Sequence, residues 1–254
     1  MTKIIKTISE WKQLKKSPHL NEKKIGFVPT MGALHTGHIS LIETCINEND
    51  ISVISIFVNP TQFNDPKDLE RYPRTFKDDL QLLEKLKVDF LFCPDAKEIY
   101  PDNFKYRLIE DELSKILCGA FRPGHFEGVL TVVLKLLNII QPHRAYFGEK
   151  DYQQYKLIDG MCKAFFLDIE IIPRPTIREK DGLAMSSRNL LLTNEERILA
   201  ANFPRLLTSE KSTEEIKSEL EKLGFKVDYI SDLEGRRFGA VHIGKARLID
   251  NVQL

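Results

Sequence analysis

The sequence has no excess of charge of either sign. Its 254 residues include 37 Lys and Arg against 37 Asp and Glu, so the formal net charge at pH 7 is zero. Non-specific binding of nucleic acid relies on an excess of basic residues over the phosphates that they neutralise, and this composition offers none. We therefore expect no nucleic-acid partner.

A long hydrophobic run is also absent from the sequence. The most apolar stretch, residues 130–140, is interrupted by Lys135 and Asn138, and residues 1–16 lack the apolar core of a signal peptide. A membrane-spanning helix needs about 20 predominantly apolar residues. We expect no membrane association and no export, and hence a cytoplasmic protein.

Cysteine is scarce, and no two cysteines form a C-x-x-C pair. Cys45, Cys93, Cys118 and Cys162 lie far apart in apolar contexts. This pattern is typical of reduced core residues rather than of disulfides or zinc ligands. With 42% hydrophobic residues the chain can bury a real core, and its length fits one large domain or one large and one small domain.

Short β-rich runs alternate with segments of helical period through about residue 175. The runs predict strands at 25–29, 51–57, 88–94, 144–147 and 169–172. The segments between them predict helices at 36–47, 67–87, 128–140 and 151–166. This alternation predicts an α/β fold with a parallel sheet and crossover helices, and an active site at the carboxyl ends of the strands.

After Pro173 the pattern changes to a polar loop followed by shorter segments. We predict a helix at 212–223 and strands at 227–230, 240–243 and 246–249, which suit a small antiparallel sheet. The predicted domains are therefore residues 1–175 and a smaller α+β domain at 176–254.

PTMGALHTGH, residues 29–38, lies where the first of these strands meets a helix. Gly32 and Gly37 allow close approach of the backbone to a ligand, and a helix start favours an anion. His35 and His38 are three residues apart, so both imidazoles can donate hydrogen bonds to a phosphate. Two ordinary loop histidines are the alternative, and zinc binding has less support because no third ligand is evident.

Two further motifs follow strand ends. SIFVNPTQF carries the amides of Asn59 and Gln62, although Asn-Pro is also a common turn signal. FGEKDYQQ carries Gly148, Lys150 for a phosphate, and Asp151 for a helix cap, a ribose hydroxyl or a metal. In FGEKDYQQ, Gln153 and Gln154 point to different sides of a helix, so at most one of them faces a ligand.

Two loops add basic side chains. LAMSSRN places Ser186, Ser187 and Arg188 together as donors suited to a polyphosphate, with a helix cap as the alternative. GAFRPGHFEG holds Arg122 and His125, which fit a ligand contact and a structural turn equally well. Transfer of a phosphoryl or nucleotidyl group needs hydrogen-bond donors and cations around the phosphates, and these motifs place such side chains at the ends of successive strands.

The motifs PTMGALHTGH, SIFVNPTQF, YPRT, FRPGHFEGV, FGEKDYQQ and DGLAMSSRN closely resemble, in order and spacing, those of the pantoate–β-alanine ligase family. The resemblance runs from residue 25 to residue 189 and resumes at KARLIDN. HTGH and MSSR are similar to the HIGH and KMSKS signatures of class I synthetases and nucleotidyltransferases. Residues 197–240 look shorter than in many relatives, so we expect a trimmed C-terminal domain.

The resemblance implies a Rossmann-like ATP-binding domain, a small C-terminal lid and a homodimer. It also implies that the substrates are (R)-pantoate, β-alanine and ATP, with Mg²⁺, and that the products are pantothenate, AMP and pyrophosphate. The reaction would pass through a pantoyl adenylate, because a free carboxylate is a very poor acyl donor to an amine. A related nucleotidyltransferase that adenylylates a small carboxylate or phosphate, and a non-catalytic binding protein with this fold, are the alternatives.

Site residues follow from the resemblance position by position. His38 would be the proton donor, and His35, Lys150, Ser186, Ser187 and Arg188 would act with it on the phosphates. Gln62 and Gln154 would hold pantoate, with Gln62 also near β-alanine and Asn59 supporting the pocket. No metal ligands are assigned. The implied ATP site consists of Met31, Gly32, Ala33, Leu34, His35, Thr36, Gly37, His38, Gly148, Glu149, Lys150, Asp151, Ile177, Met185, Ser186, Ser187 and Arg188.

Overall fold

A six-stranded parallel sheet organises the larger part of the chain. The computed structural model describes residues 1–18 and 20–254. The order across the sheet is β1-β4-β3-β2-β5-β6, with every pair parallel. Its strands are β1 (Lys3–Ile5), β2 (Ile25–Thr30), β3 (Ile51–Ile56), β4 (Phe90–Phe92), β5 (Arg144–Gly148) and β6 (Glu170–Arg174).

Helices connect and cover these strands. The longest, α7, is buried around most of its circumference because it packs into the main core with Leu130, Leu137 and Ile140. The helices are α1 (Ile8–Lys15), α2 (Thr36–Glu48), α3 (Pro66–Arg71), α4 (Phe76–Lys85), α5 (Ala96–Ile99), α6 (Cys118–Phe121), α7 (His125–Ile140) and α8 (Tyr152–Ala164).

The C-terminal part builds a second core on a small antiparallel sheet. Phe203, Leu220 and Val241 are fully buried there. Its strand order is β7-β8-β9. The elements are α9 (Asn194–Ala200), α10 (Asn202–Leu207), α11 (Thr213–Lys222), β7 (Lys226–Leu233), β8 (Arg236–Ile243) and β9 (Ala246–Gln253).

The predicted α/β fold class, a parallel sheet with crossover helices and a small α+β part, is confirmed. The single helix predicted at 67–87 is wrong, because the chain forms α3 and α4 with a break at Pro73. Proline cannot donate a backbone hydrogen bond and disfavours helical geometry in the residue before it. Tyr72 is accordingly extended, with ψ of 127°. The domain boundary at residue 176 stays a prediction.

The four cysteines are all free, as predicted; Cys45, Cys118 and Cys162 are buried, whereas Cys93 is only partly buried. Among the described residues, no helix combines the length and apolarity that a membrane crossing requires.

Sheet topology fixes where ligands can bind. β2 lies between β3 and β5: from β2 the chain adds β3 and then β4 towards one edge of the sheet, and it then crosses to the other side of β2 to add β5 and β6. In open parallel sheets such a reversal of strand order opens a crevice at the carboxyl ends of the strands. The segments after Thr30, Ile56, Gly148 and Arg174 all begin at this edge.

Candidate active site

A cavity of about 250 Å³ opens at the carboxyl ends of β2, β3, β5 and β6. The motifs at residues 29–38, 55–63, 119–128, 147–154 and 183–189 all contribute residues to its wall. The predicted site residues that line it are Met31, His35, Gly37, His38, Asn59, Gln62, Gly148, Lys150, Asp151, Gln154, Ile177, Met185, Ser186, Ser187 and Arg188. Residues distant in sequence thus meet because parallel strands end at one edge.

Five predicted ATP-site residues do not line this cavity: Gly32, Ala33, Leu34, Thr36 and Glu149. The loop before α2 is anchored from below, because buried Asp79 accepts hydrogen bonds from the backbone N–H groups of Ala33 (3.0 Å) and Leu34 (2.8 Å). Ala33 has a φ of 51°, in the left-handed region, so the loop needs such an anchor.

His35 and His38 lie against each other at the start of α2, with ring centroids 4.1 Å apart. Nδ1 of His35 accepts from the Gly37 N–H at 3.1 Å, and Nδ1 of His38 accepts from the His35 N–H at 3.3 Å. A neutral imidazole whose Nδ1 accepts carries its proton on Nε2. Each ring therefore keeps an Nε2–H donor for a ligand.

The electrostatics of the pair favour that neutral form. Burial, then the neighbouring His35 and Lys150, lower the pKa of His38 to about 3. Burial and then Lys150 also lower the pKa of His35. At neutral pH both rings are uncharged donors, and an arriving polyanion would raise both pKa values.

Gln62 is held from two sides. Its side-chain oxygen accepts from Asn59 Nδ2 at 3.1 Å, and its Nε2 lies 3.2 Å from the sulfur of Met31. Its backbone carbonyl accepts from Arg122 at 3.2 Å and from Nδ1 of His125 at 2.8 Å. The amide is therefore presented to the cavity in a fixed position.

Gly128 brings α7 directly against this segment. A Cβ at Gly128 would lie 2.5 Å from the carbonyl oxygen of Thr61 and 2.8 Å from the backbone nitrogen of Gln62. Asn59, which is 1% exposed, donates to the Gly128 carbonyl at 3.1 Å. Only glycine allows this approach, which fixes the amide-bearing turn on the core helix.

The turn after β5 places a cation and an anion side by side. Lys150 Nζ and the Asp151 carboxylate are 3.6 Å apart on the cavity wall. Within the described residues Asp151 makes no capping hydrogen bond to α8, so the cap alternative is not adopted. Asn251 of β9 donates to the carbonyls of Glu149 (2.8 Å) and Lys150 (2.9 Å), which fastens this turn to the small sheet.

The two glutamines that follow separate as their helical spacing predicts. Gln154 lines the cavity. Gln153 is buried and accepts from the Cys118 N–H while donating to the carbonyls of Leu113 and Ile116.

Residues 185–188, which we call the serine loop, line the cavity on the side of the C-terminal part of the chain. The hydroxyl of Ser186 accepts from the Arg188 N–H at 3.2 Å, which is the cap alternative considered for this motif. The Arg188 guanidinium pairs with Asp68 of α3 at 3.2 Å. Both partners are partly exposed, so this ion pair is weak and Arg188 can be drawn to a stronger anion.

Sequence reasoning missed the residues that position the site. Asp79 and Asn251 act on loops far away in sequence, and buried Tyr72, which was noted only as part of the YPRT motif and given no role, lines the cavity. Arg122 and His125 were left open between ligand contact and turn, and the structure places both on the cavity wall. In the described part of the chain, no group of three or more His, Cys, Asp or Glu residues could hold a metal ion.

Comparison with known proteins gives a consistent result. A sequence model of the family described as Pantoate-beta-alanine ligase matches residues 3–253. The pantothenate synthetases of Bdellovibrio bacteriovorus and Legionella pneumophila are 52% and 51% identical to this chain, and each alignment covers at least 99% of both proteins. The chain is therefore not shortened relative to these two relatives.

Solved structures agree with the sequence comparison. A pantoate-beta-alanine ligase from Francisella tularensis, complexed with beta-gamma ATP and beta-alanine, superimposes with a TM-score of 0.95 at 46% identity and covers 100% of this chain and 98% of its own. Pantothenate synthetase from Thermus thermophilus gives a TM-score of 0.89 at 38% identity, with 99% of each chain covered.

Proposed function

The chain belongs to the pantoate-beta-alanine ligase family, and we propose that the cavity described above joins (R)-pantoate to β-alanine at the expense of ATP. The observation that carries this proposal is the convergence of the histidine pair, both cavity-facing glutamines, Lys150 and the serine loop on one wall. A binding protein would not need this complete set of phosphate donors. The chemistry divides into two steps.

In the first step the pantoate carboxylate attacks the α-phosphorus of ATP. A bond forms between the carboxylate oxygen and phosphorus, and the bond to the leaving pyrophosphate breaks. Negative charge grows on the phosphoryl and leaving oxygens, where fixed donors act most strongly. The Nε2–H groups of His35 and His38, the Lys150 ammonium and the Arg188 guanidinium supply these donors.

Gln62 and Gln154 hold pantoate for this attack. Primary amides can donate to a carboxylate and accept from a hydroxyl, and pantoate carries both groups. Because Asn59 holds the side-chain amide of Gln62 and His125 holds its backbone carbonyl, the carboxylate is oriented before ATP reacts. We assign Asn59 a positioning role, because its side chain is buried and hydrogen-bonds to the amide of Gln62.

In the second step the neutral amine of β-alanine attacks the acyl carbon of the pantoyl adenylate. The carbon–nitrogen bond forms, the carbon–oxygen bond to AMP breaks, and the amine gives up a proton to the leaving phosphate group of AMP or to water. The serine loop, Met185, Ser186, Ser187 and Arg188, would shield the adenylate from water in this interval. Ile177 and Gly148 line the same cavity and would contact the nucleotide.

Mg²⁺ is proposed as a partner of the ATP phosphates. Mg²⁺ typically uses one or two carboxylates together with phosphate oxygens and water, so a cage of protein ligands is not required. Asp151 fits this need, because its carboxylate lies on the cavity wall with 45% of the side chain exposed. The ion would offset phosphate charge there.

We also propose a cytoplasmic homodimer assembled through the larger part of the chain, and the family resemblance supports both points. Light scattering on the protein as it elutes from a size-exclusion column measures its mass directly. A mass of one chain across the working concentration range would exclude the dimer.

The test of function is pyrophosphate and AMP release from ATP and Mg²⁺ with (R)-pantoate, with and without β-alanine. A ligase gives a pyrophosphate burst with pantoate alone and steady AMP release only after β-alanine is added. A nucleotidyltransferase that stops at the adenylylated product would release pyrophosphate continuously with no need for an amine. A folded protein that forms no pantothenate under these conditions would overturn the proposal.

A further inference from the structure

Arg122 is a cavity-lining cation to which the two-step scheme gives no role. It follows α6, and its guanidinium lies on the same wall as Gln62 and Gln154. It also lines an adjoining cavity of about 310 Å³ that opens between α3 and the small sheet. Arg122 therefore stands where a second ligand could reach the pantoate pocket.

This guanidinium has only neutral partners. One nitrogen donates to the Gln62 carbonyl at 3.2 Å, and another lies 3.0 Å from Nε2 of His125. In the part of the chain that the structure describes, no carboxylate pairs with Arg122. By contrast, Arg178, Arg188, Arg197, Arg237 and Arg247 each pair with an Asp or Glu.

The surroundings of Arg122 favour an anion. Burial, then Arg188 and Arg247, lower the pKa of Arg122 to about 10, so the side chain remains charged at neutral pH. A partly buried cation beside two other cations is stabilised by any anion that arrives. Two of its five N–H groups are engaged, and three remain for a planar acceptor such as a carboxylate.

Three anionic groups must be accommodated in the proposed reaction. The triphosphate has the histidine pair, Lys150 and Arg188, and the pantoate carboxylate must lie at the α-phosphorus. The carboxylate of the amine substrate remains without a cation. Arg174 also lines the cavity, but it ends β6 next to Ile177, at the end assigned to the nucleotide. Arg122 adjoins Gln62, at the end assigned to pantoate.

We propose that Arg122 binds the carboxylate of the amine substrate and thereby selects an amino acid over a simple amine. This inference rests on the proposed function. With the carboxylate on Arg122, the amine two methylene groups away is directed towards the acyl group held beside Gln62. Binding should cost little side-chain conformational entropy, because His125 and the Gln62 carbonyl already fix the guanidinium.

The experiment compares two amines on two forms of the enzyme. The kcat/KM values for β-alanine and for β-alaninamide, which lacks the negative charge, are measured with the wild type and with Arg122→Gln. We expect kcat/KM for β-alanine to fall by about 10- to 100-fold, as loss of a charge-assisted contact does. The value for β-alaninamide should stay close to that of the wild type.

The pyrophosphate burst with ATP and pantoate alone separates this role from the others. Its rate and amplitude should be preserved in Arg122→Gln, because His125 still holds the Gln62 carbonyl. A slowed burst would assign Arg122 to the phosphates or to the position of Gln62 and would overturn the proposal. An equal loss for both amines would also overturn it. If the wild type itself forms no pantothenate, the proposed function fails instead.

Two further variants keep the test decisive. Arg122→Lys retains the charge without the planar fork, so it should recover part of the preference for β-alanine over its amide. Arg71→Gln removes an exposed positive charge from the adjoining cavity and is the matched control. It should leave that preference intact; the same loss of preference in Arg71→Gln would indicate general electrostatic attraction and refute a specific contact.

Discussion

Gly128→Ala is expected to destabilise the protein although alanine is the better helix former. The added methyl group would lie 2.5 Å and 2.6 Å from the carbonyl oxygen and carbon of Thr61. Both are backbone atoms of the turn that carries Gln62, so no flexible side chain can move aside. Overpacking of this kind costs about 1–3 kcal/mol, and the gain in helix propensity offsets about 0.5–1 kcal/mol of it.

The difference is a net loss of up to about 2.5 kcal/mol, and its midpoint of about 1.3 kcal/mol corresponds to a fall in Tm of about 3–5 °C for a chain of this size. Gly160→Ala is the matched control, since it lies in α8, is exposed, and has no atom within 4 Å of the added Cβ. It should raise Tm by about 1–4 °C through helix propensity alone.

Activity provides the second readout for this pair. Displacing the turn at Thr61 moves Gln62, so the KM for pantoate should rise in Gly128→Ala more than the KM for ATP does. Thermal melts and initial rates on both variants measure these effects. A Gly128→Ala protein that melts at or above the wild-type temperature with an unchanged pantoate KM would refute the reasoning.

Four other variants test the site. His38→Ala should slow the pyrophosphate burst by about 10²-fold or more, as loss of a transition-state donor does, and an unchanged burst would remove His38 from that role. Lys150→Ala should raise the KM for ATP, measured at saturating pantoate; no change there would contradict a phosphate contact. Asp79→Asn replaces an acceptor with a donor beside two backbone N–H groups, so ATP binding measured by calorimetry should weaken and Tm should fall. Burial and then Arg122 lower the pKa of His125 to about 3 in the folded protein. Below about pH 6.5 the unfolded chain therefore binds more protons than the folded protein does. The free energy of unfolding should then fall by up to about 1.4 kcal/mol for each pH unit by which the pH is lowered. Urea melts from pH 7 to pH 5 should show this slope in the wild type and a shallower one in His125→Asn.

Much of the larger sheet could be predicted from local pattern. The apolar runs at 25–29 and 51–57 agree with β2 and β3 to within a residue at each end. The helix predicted at 67–87 could not be divided by periodicity, because Leu69, Leu80 and Leu83 remain in phase across the break. Its interruption depends on Pro73 and on the burial of Tyr72, whose side chain hydrogen-bonds with Ser187.

The site residues on strand ends were predictable because the carboxyl ends of parallel strands converge. The contacts that position them were not, since they join segments far apart in sequence. Asp79 bonds the loop at Ala33 across 46 positions, and Asn251 reaches the Lys150 carbonyl across 101. Neither Asp nor Asn carries a local signal of such a role, and only the packing of α4 and β9 brings them into place.

Gln62 links the two half-reactions through different atoms. Its amide faces the pantoate pocket, while its carbonyl is held by His125 and by Arg122, the proposed anchor for β-alanine. Moving the backbone should therefore disturb both steps, whereas removing the Arg122 charge should disturb only the second. Gly128→Ala and Arg122→Gln make these two changes separately. If both variants slow the burst and the amine step in equal proportion, position alone governs the site and the charge of Arg122 has no separate part in it.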